Sequence, residues 1–149
     1  MDISEITNYL YVGAGPEVRD AEPLLGLGVR LIISMRGEKR PPAALAQPQL
    51  QVLWLRTYDV FFMPIPVSKL MEGVQAALPV IQNGGRVLVH CQRGRHRSVA
   101  MGAAILIAMG ASAEEAMALL QARRKIADPH APHIQRQIKK FEQVWRAQP

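Results

Sequence analysis

The stretch that decides both fold and chemistry is Val87-Leu88-Val89-His90-Cys91-Gln92-Arg93-Gly94-Arg95-His96-Arg97-Ser98, which runs on into the small, apolar residues from Val99 to Gly110. An apolar, β-rich run enters it and a helix-like run leaves it, so the residues between make a strand-to-helix turn. That turn holds the chain's only cysteine. A thiol is a weak nucleophile at neutral pH and its thiolate a strong one; helix N-termini and nearby cations bring a cysteine pKa from about 8.5 to roughly 3.5–7.5. Both influences are at hand. The helical pattern starts near Arg97, which puts Cys91 just ahead of a positive dipole end, and Arg93, Arg95, His96 and Arg97 surround it with charge and donors.

The same features bind an oxyanion. Successive backbone N–H groups in a tight loop form an anion nest, and a helix N-terminus adds unpaired donors. Gly94 permits the backbone conformation such a loop needs. Arg97 can fork onto two phosphoryl oxygens, which lysine cannot do. Ser98 stands where its hydroxyl can bond the sulfur and help it leave a thiophosphate. Each residue alone has a plainer reading: a buried free cysteine, a helix-capping serine, solvated arginines. Together they serve one anion site, and they point to phosphate ester chemistry.

The string His90-Cys91-x-x-Gly94-x-x-Arg97-Ser98 resembles the signature loop of the cysteine-based protein tyrosine phosphatases. The short chain, the segment Tyr9-Leu10-Tyr11-Val12-Gly13 and the helices after the loop look like the dual-specificity branch. The resemblance implies a cofactor-free phosphomonoesterase that works through a cysteinyl-phosphate. It assigns attack on phosphorus to Cys91, grip of the phosphoryl oxygens to Arg97, orientation of the loop to His90 and assistance to the sulfur to Ser98. Gln92, Arg93, Gly94, Arg95 and His96 would contact the substrate. Arg124, at a helix end where a cation also suits the dipole, would sit at the pocket rim and meet a second anionic group. The implied partner is a phosphorylated protein or small molecule, with phosphotyrosine foremost and phosphoserine or phosphothreonine beside it.

Expulsion of an alkoxide or phenoxide needs a proton donor. Glu38 follows a strand, Asp128 lies in a proline-rich loop, and Glu114 and Glu115 open a helix, where acids favour the dipole. Asp59 follows the strand-like Val52-Leu53-Trp54-Leu55-Arg56 in an irregular segment, and in the resembled branch the acid lies on such a loop upstream of the cysteine. Asp59 is therefore assigned as general acid in the first step and general base in the second. The next residues, Val60-Phe61-Phe62-Met63, are apolar for a loop beside an active site and are expected to divide between core and a hydrophobic rim.

Two departures from the family bear on substrate. Gln92, Arg93, Arg95 and His96 occupy loop positions where small neutral or hydroxyl residues are common, and the extra cations resemble those of members acting on phosphoinositides. Asp128-Pro129-His130-Ala131-Pro132 replaces the family's frequent Pro-Asn-x-Gly-Phe. His130 and His133 have a spacing suited to metal ligands, but no third ligand is near them in sequence, so no metal is expected.

Composition sets the bounds. The 149 residues suit one domain, and 49% hydrophobic content argues against disorder. One cysteine excludes an internal disulfide and fits a reducing, cytoplasmic setting. No N-terminal signal is apparent, and the run Val99 to Gly110 is too short to span a bilayer. The net charge of +6 gathers in the loop and the C-terminal helices, and with three Phe, three Tyr and two Trp no stacking platform for nucleic acid is evident, so no nucleic-acid partner is expected.

Strands are expected at 9–12, 29–35, 51–56 and 86–90. Helices are expected at 16–27, 67–82 (with an awkward Pro79), 97–109, 113–125 and 132–146, and Ser112 with Glu115 spells a capping box. The segment 41–47 reads as a short helix or loop. The pattern predicts a single α/β domain over 1–149, with a central four- to five-stranded, mostly parallel sheet flanked by helices. Two other functions compete. A rhodanese-like sulfurtransferase also uses a loop cysteine, but Arg97-Ser98 and an acid at Asp59 argue against it. A phosphate-binding pseudophosphatase module would need neither nucleophile nor acid.

Overall fold

Strand β5 (Arg86–Cys91) is buried from Val87 onward and is the middle strand of a five-stranded sheet. The structure, a computed structural model, describes residues 1–149. Its sheet runs in the order β1-β2-β5-β3-β4, with β1 at Ile3–Glu5, β2 at Leu10–Ala14, β3 at Val29–Arg36 and β4 at Gln51–Thr57. All neighbours are parallel except β1 and β2. A central parallel strand is covered on both faces, which is why Val87-Leu88-Val89 is apolar without alternation.

Registers align the strand ends. Ala14 lies beside Cys91 and Ser34 beside His90, so the loops leaving β2, β3 and β5 gather at the carboxyl edge of the sheet, where open α/β sheets bind ligands. Val87, Val89, Leu31 and Ile33 face the larger core, built with helices α2 (Val67–Gln82), α3 (Arg97–Ala108), α4 (Ala113–Arg123) and α5 (Pro132–Arg146). Leu88 and Ile32 face a smaller core with α1 (Ala21–Gly26).

Helix α3 is buried from Arg97 to Ile107 and is enclosed by α2, α4, α5 and the sheet. Its small residues permit that: Ala100, Gly102, Ala103 and Ala104 let neighbouring elements close in. A methyl group on Gly73 of α2 would overlap Met101 Sδ of α3. The predicted capping box at α4 is present, with Ser112 Oγ accepting from the Glu115 amide at 3.1 Å and Glu115 Oε1 accepting from the Ser112 amide at 2.9 Å. Pro79 lies exposed near the end of α2, and the helix continues through it.

The ends of β2, β3, β4, α3 and α4 shift by one or two residues from those expected, and three further details differ. The single helix expected over 16–27 is a 3-10 turn, Val18–Asp20, followed by the short α1. Strand β5 extends one residue further, to include Cys91. Strand β1 was not anticipated. It is three residues long, lies at the sheet edge and pairs only with β2, so no periodicity marks it.

Candidate active site

The buried strand β5 delivers Cys91 to the sheet edge, and α3 begins six residues later with His96 as its N-cap residue. The turn between them closes at Gly94, whose φ of 70° is in the left-handed region. A Cβ there would stand 2.6 Å from Arg124 Nη2 and 2.7 Å from the Gly13 carbonyl carbon, so glycine is required by space as well as by conformation.

Arg124 corrects an expectation. It is not at the rim. Its side chain is 3% exposed, and its guanidinium bonds the Gly94 carbonyl (2.8 Å), the Arg93 carbonyl (2.8 Å), both Asp2 carboxylate oxygens (3.1 and 3.0 Å) and Ser4 Oγ (3.1 Å). With its donors committed behind the loop, it holds the loop's backbone in shape and does not face the cavity.

Cys91 Sγ lies 3.2 Å from Ser98 Oγ and accepts from the Gly94 amide at 3.3 Å. Burial pushes its pKa up. The Ser98 hydroxyl and amide, the Gly94 amide and the Arg97 charge outweigh that, and the net direction is below the ordinary thiol value. The site therefore favours the thiolate through donors aimed at sulfur.

Arg97 is buried at the first position of α3. Nη1 donates to Glu38 Oε1 (2.7 Å), the Thr57 carbonyl (3.0 Å) and the Met35 carbonyl (3.2 Å), and Nη2 donates to Glu38 Oε2 (3.1 Å). Nε is buried without a partner. The end of the guanidinium is thus clamped by a carboxylate, and its Nε side, which carries the unused donors, is left for a ligand. A buried N–H without a protein partner is rare, and Arg97 also lines the cavity that holds Cys91.

Glu38 is the residue the sequence reading passed over. The Arg97 hydrogen bonds hold its carboxyl at about 2, well below the carboxylate range, despite an opposing effect of partial burial. Its position is set by the ends of β3 and β4. Thr57 Oγ1 donates to the Met35 carbonyl (2.6 Å), Trp54 Nε1 to the Arg36 carbonyl (2.6 Å) and the Gly37 amide to the Thr57 carbonyl (2.8 Å). Arg36 Nε adds a bond to Glu38 Oε2 at 3.1 Å.

His90 is buried behind the loop, with Nδ1 3.4 Å from the Cys91 carbonyl. Burial, helped by the Arg36 and Arg97 charges, lowers its pKa to about 4, so the ring is neutral at neutral pH. A neutral ring that bonds the loop's backbone suits the orienting part expected of it.

A cavity of about 250 Å³ opens over the sulfur. Asp59 lines it together with Cys91, Gln92, Arg93, Arg95, His96 and Arg97, so the chain brings together the nucleophile, the arginine and the acid read from sequence. Asp59 Oδ2 is 2.8 Å from His96 Nδ1, and Oδ1 is 2.9 Å from His133 Nε2. Burial raises the Asp59 pKa, but the bonds to His133 and His96 outweigh it and the direction is down. His133 is thus the third residue that sequence spacing alone did not bring near; His130 stays exposed. On the outer wall Arg95 lies 3.7 Å from Asp128. The Val60–Met63 segment does not enter the core: Val60 is half-buried, Phe61 is 76% exposed and Phe62 68%, their rings edge to face at 5.3 Å.

Residues 10–144 match the family model described as "Dual specificity phosphatase, catalytic domain". The chain belongs to this family. It is a phosphatase of the protein tyrosine/dual-specificity class and acts on phosphorylated substrates. It is 28% identical over 142 residues to human "Dual specificity phosphatase 28", which covers 93% of this chain and 77% of the relative. It is 26% identical over 133 residues to "Protein-tyrosine-phosphatase MKP1" of Arabidopsis thaliana, covering 87% of this chain and 16% of that one. Among solved structures, human DUSP28 superposes with a TM-score of 0.86 at 24% identity, covering 99% of this chain and 97% of that one, which supports the fold. PTPMT1 in complex with PI(5)P superposes with a TM-score of 0.86 at 27% identity, covering 97% of each. The phosphatase carries no helix long and apolar enough to cross a membrane.

Proposed function

We propose that this phosphatase hydrolyses phosphomonoesters through a cysteinyl-phosphate on Cys91. The observation that carries the reading is the pairing of a sulfur held by the Gly94 amide and Ser98 hydroxyl with an arginine whose end is clamped by Glu38 and whose buried Nε has no partner. A pure binding module needs neither the activated sulfur nor Asp59 in the same cavity.

In the first step the Cys91 thiolate attacks phosphorus. The bond from phosphorus to the ester oxygen breaks, and that oxygen takes a proton from Asp59. In the second step water attacks phosphorus, Asp59 takes the water's proton, and the S–P bond breaks to return the thiolate, assisted by the Ser98 hydroxyl. Arg97 carries the phosphoryl charge in both steps. The bonds to His133 and His96, one on each carboxylate oxygen, lower the Asp59 pKa and favour its ionised form, the form that takes the water's proton in the second step.

The substrate is a phosphorylated protein, with phosphotyrosine foremost. One set of observations supports a second class on the same chemistry. Arg93 and Arg95 line the cavity, Phe61 and Phe62 stand exposed on its acid loop, and the neighbour solved with PI(5)P shares the fold. That combination suits a phosphoinositide, with cations for additional phosphates and an apolar rim for the lipid side.

The test is direct. Cys91→Ser loses turnover by more than about a thousandfold, the scale of losing a nucleophile, and still binds vanadate. Rapid acid quench of the wild type with a labelled aryl phosphate gives a phosphorylated Cys91 peptide. Turnover by Cys91→Ser near the wild-type rate removes the covalent mechanism. A panel of phosphopeptides and phosphoinositide vesicles then ranks the two substrate classes by kcat/KM.

A further inference from the structure

Asp59, His96 and His133 form a compact cluster of one carboxylate and two imidazoles. Three elements anchored in the core deliver it: the loop after β4, the N-cap residue of α3 and the first turn of α5. One ligand atom from each residue lies within 4.8 Å of the other two. The rings of His96 and His133 are 5.4 Å apart at 71°, so both nitrogens turn toward the carboxylate from different directions. Zinc sites have metal–ligand distances of roughly 2.0–2.2 Å to nitrogen and oxygen, which puts tetrahedral ligand atoms about 3.3–3.5 Å apart. Small side-chain rotations reach that spacing.

A second, independent contact fits a metal ligand. His96 uses Nδ1 toward Asp59, and its other nitrogen, Nε2, lies 3.5 Å from Asp128 Oδ2. Metal-ligating histidines nearly always donate their second N–H to a carboxylate or carbonyl, which fixes tautomer and ring orientation. Asp128 is itself fixed, its amide bonding the Arg95 carbonyl at 3.0 Å.

The geometry points to an inhibitory site for Zn2+ formed by Asp59, His96 Nδ1 and His133 Nε2 at the mouth of the catalytic cavity. Two imidazoles and one carboxylate suit zinc and its transition-metal neighbours over Mg2+ or Ca2+, which prefer oxygen. Three protein ligands leave a fourth position for water or a phosphate oxygen. Zinc there would occupy the lone pairs with which Asp59 holds and moves its proton, so hydrolysis stops until the metal leaves. The site is made of groups the proposed mechanism uses, yet metal binding does not require that mechanism.

The test uses Co2+ as probe in the Cys91→Ser protein, which has no thiol to compete. Visible absorption should report one tetrahedral Co2+ per chain, displaced by Zn2+ and not by Mg2+. His133→Asn should weaken Co2+ binding at least tenfold. Asp128→Ala should weaken it about 10–100-fold, the usual cost of losing a residue that orients a ligand. His130→Asn should leave it unchanged. Circular dichroism and phosphate binding check that each variant is folded, and His133→Gln replaces any Asn variant that is not. In the wild type, Zn2+ should inhibit reversibly, with relief by a chelator. The inhibition curve of His133→Asn, normalised to its own metal-free rate, should move at least tenfold to higher zinc. No Co2+ binding in Cys91→Ser, equal binding in His133→Asn, or superimposable inhibition curves would each overturn the proposal. Cobalt binding is read without turnover, so loss of the metal site and failure of the phosphatase mechanism remain distinguishable.

Discussion

Glu38→Gln tests whether the clamp on Arg97 matters to catalysis. The carboxylate accepts from Nη1 at 2.7 Å and Nη2 at 3.1 Å. The amide keeps one acceptor, and turns an NH2 toward Nη2 or toward Arg36 Nε, so one donor faces another. Holding a carboxyl from its ordinary 4.5 down to about 2 corresponds to ~3 kcal/mol at 1.36 kcal/mol per pH unit. The Glu38 side chain is 36% exposed, and solvent screening reduces this to ~1–2 kcal/mol. If that energy orients the arginine in the transition state, kcat/KM falls about 5–30-fold. The fall should be equal for aryl phosphates with good and poor leaving groups, because Arg97 holds the phosphoryl oxygens and not the departing one. Steady-state hydrolysis across a leaving-group series measures this. Adding Glu38→Gln to Arg97→Lys should cost little more than Arg97→Lys alone, since the two residues act as one unit. A Glu38→Gln enzyme within twofold of wild type would refute the reasoning, as would a loss that tracks leaving-group pKa.

Asp59→Asn should slow esters with poor leaving groups by roughly a hundredfold or more, within the range for general acid catalysis, and esters of acidic phenols far less; single-turnover rates across a leaving-group series decide this. Gly94→Ala places a Cβ 2.6 Å from Arg124 Nη2 at a φ of 70°, so calorimetry should show phosphate binding lost and thermal unfolding should show a stability loss of about 2–4 kcal/mol. His90 is held from 6.5 down to about 4 in the fold. Between those values the unfolded chain binds the proton and the folded chain does not. Stability is therefore present above pH 6.5 and falls as pH drops toward 4, by ~3 kcal/mol in all. Melting curves from pH 7 to 4 should show it, and His90→Asn should flatten that slope.

Much of the molecule is written in the local sequence. Val87-Leu88-Val89 is apolar because β5 is covered on both faces, and Ser112 with Glu115 announces α4 by a cap that four residues complete alone. Cys91, Gly94, Arg97 and Ser98 fall within eight positions of one another, so the anion loop needs no distant information to be recognised. Asp59 is singled out by its irregular segment after β4 together with the family resemblance, and the fold sets it in one cavity with Cys91 and Arg97. Other features depend on packing. Glu38 looks like an ordinary loop acid until the ends of β3 and β4 press it against Arg97. Arg124 ends a helix like many surface arginines, yet the return of the chain past Asp2 and Gly94 buries it. His133 has no third ligand near it in sequence, and only the docking of α5 beside the loop after β4 sets it on Asp59. Short-range hydrogen bonding and periodicity are encoded residue by residue, whereas contacts between residues tens of positions apart exist only once the sheet and α3 have fixed the distances between them.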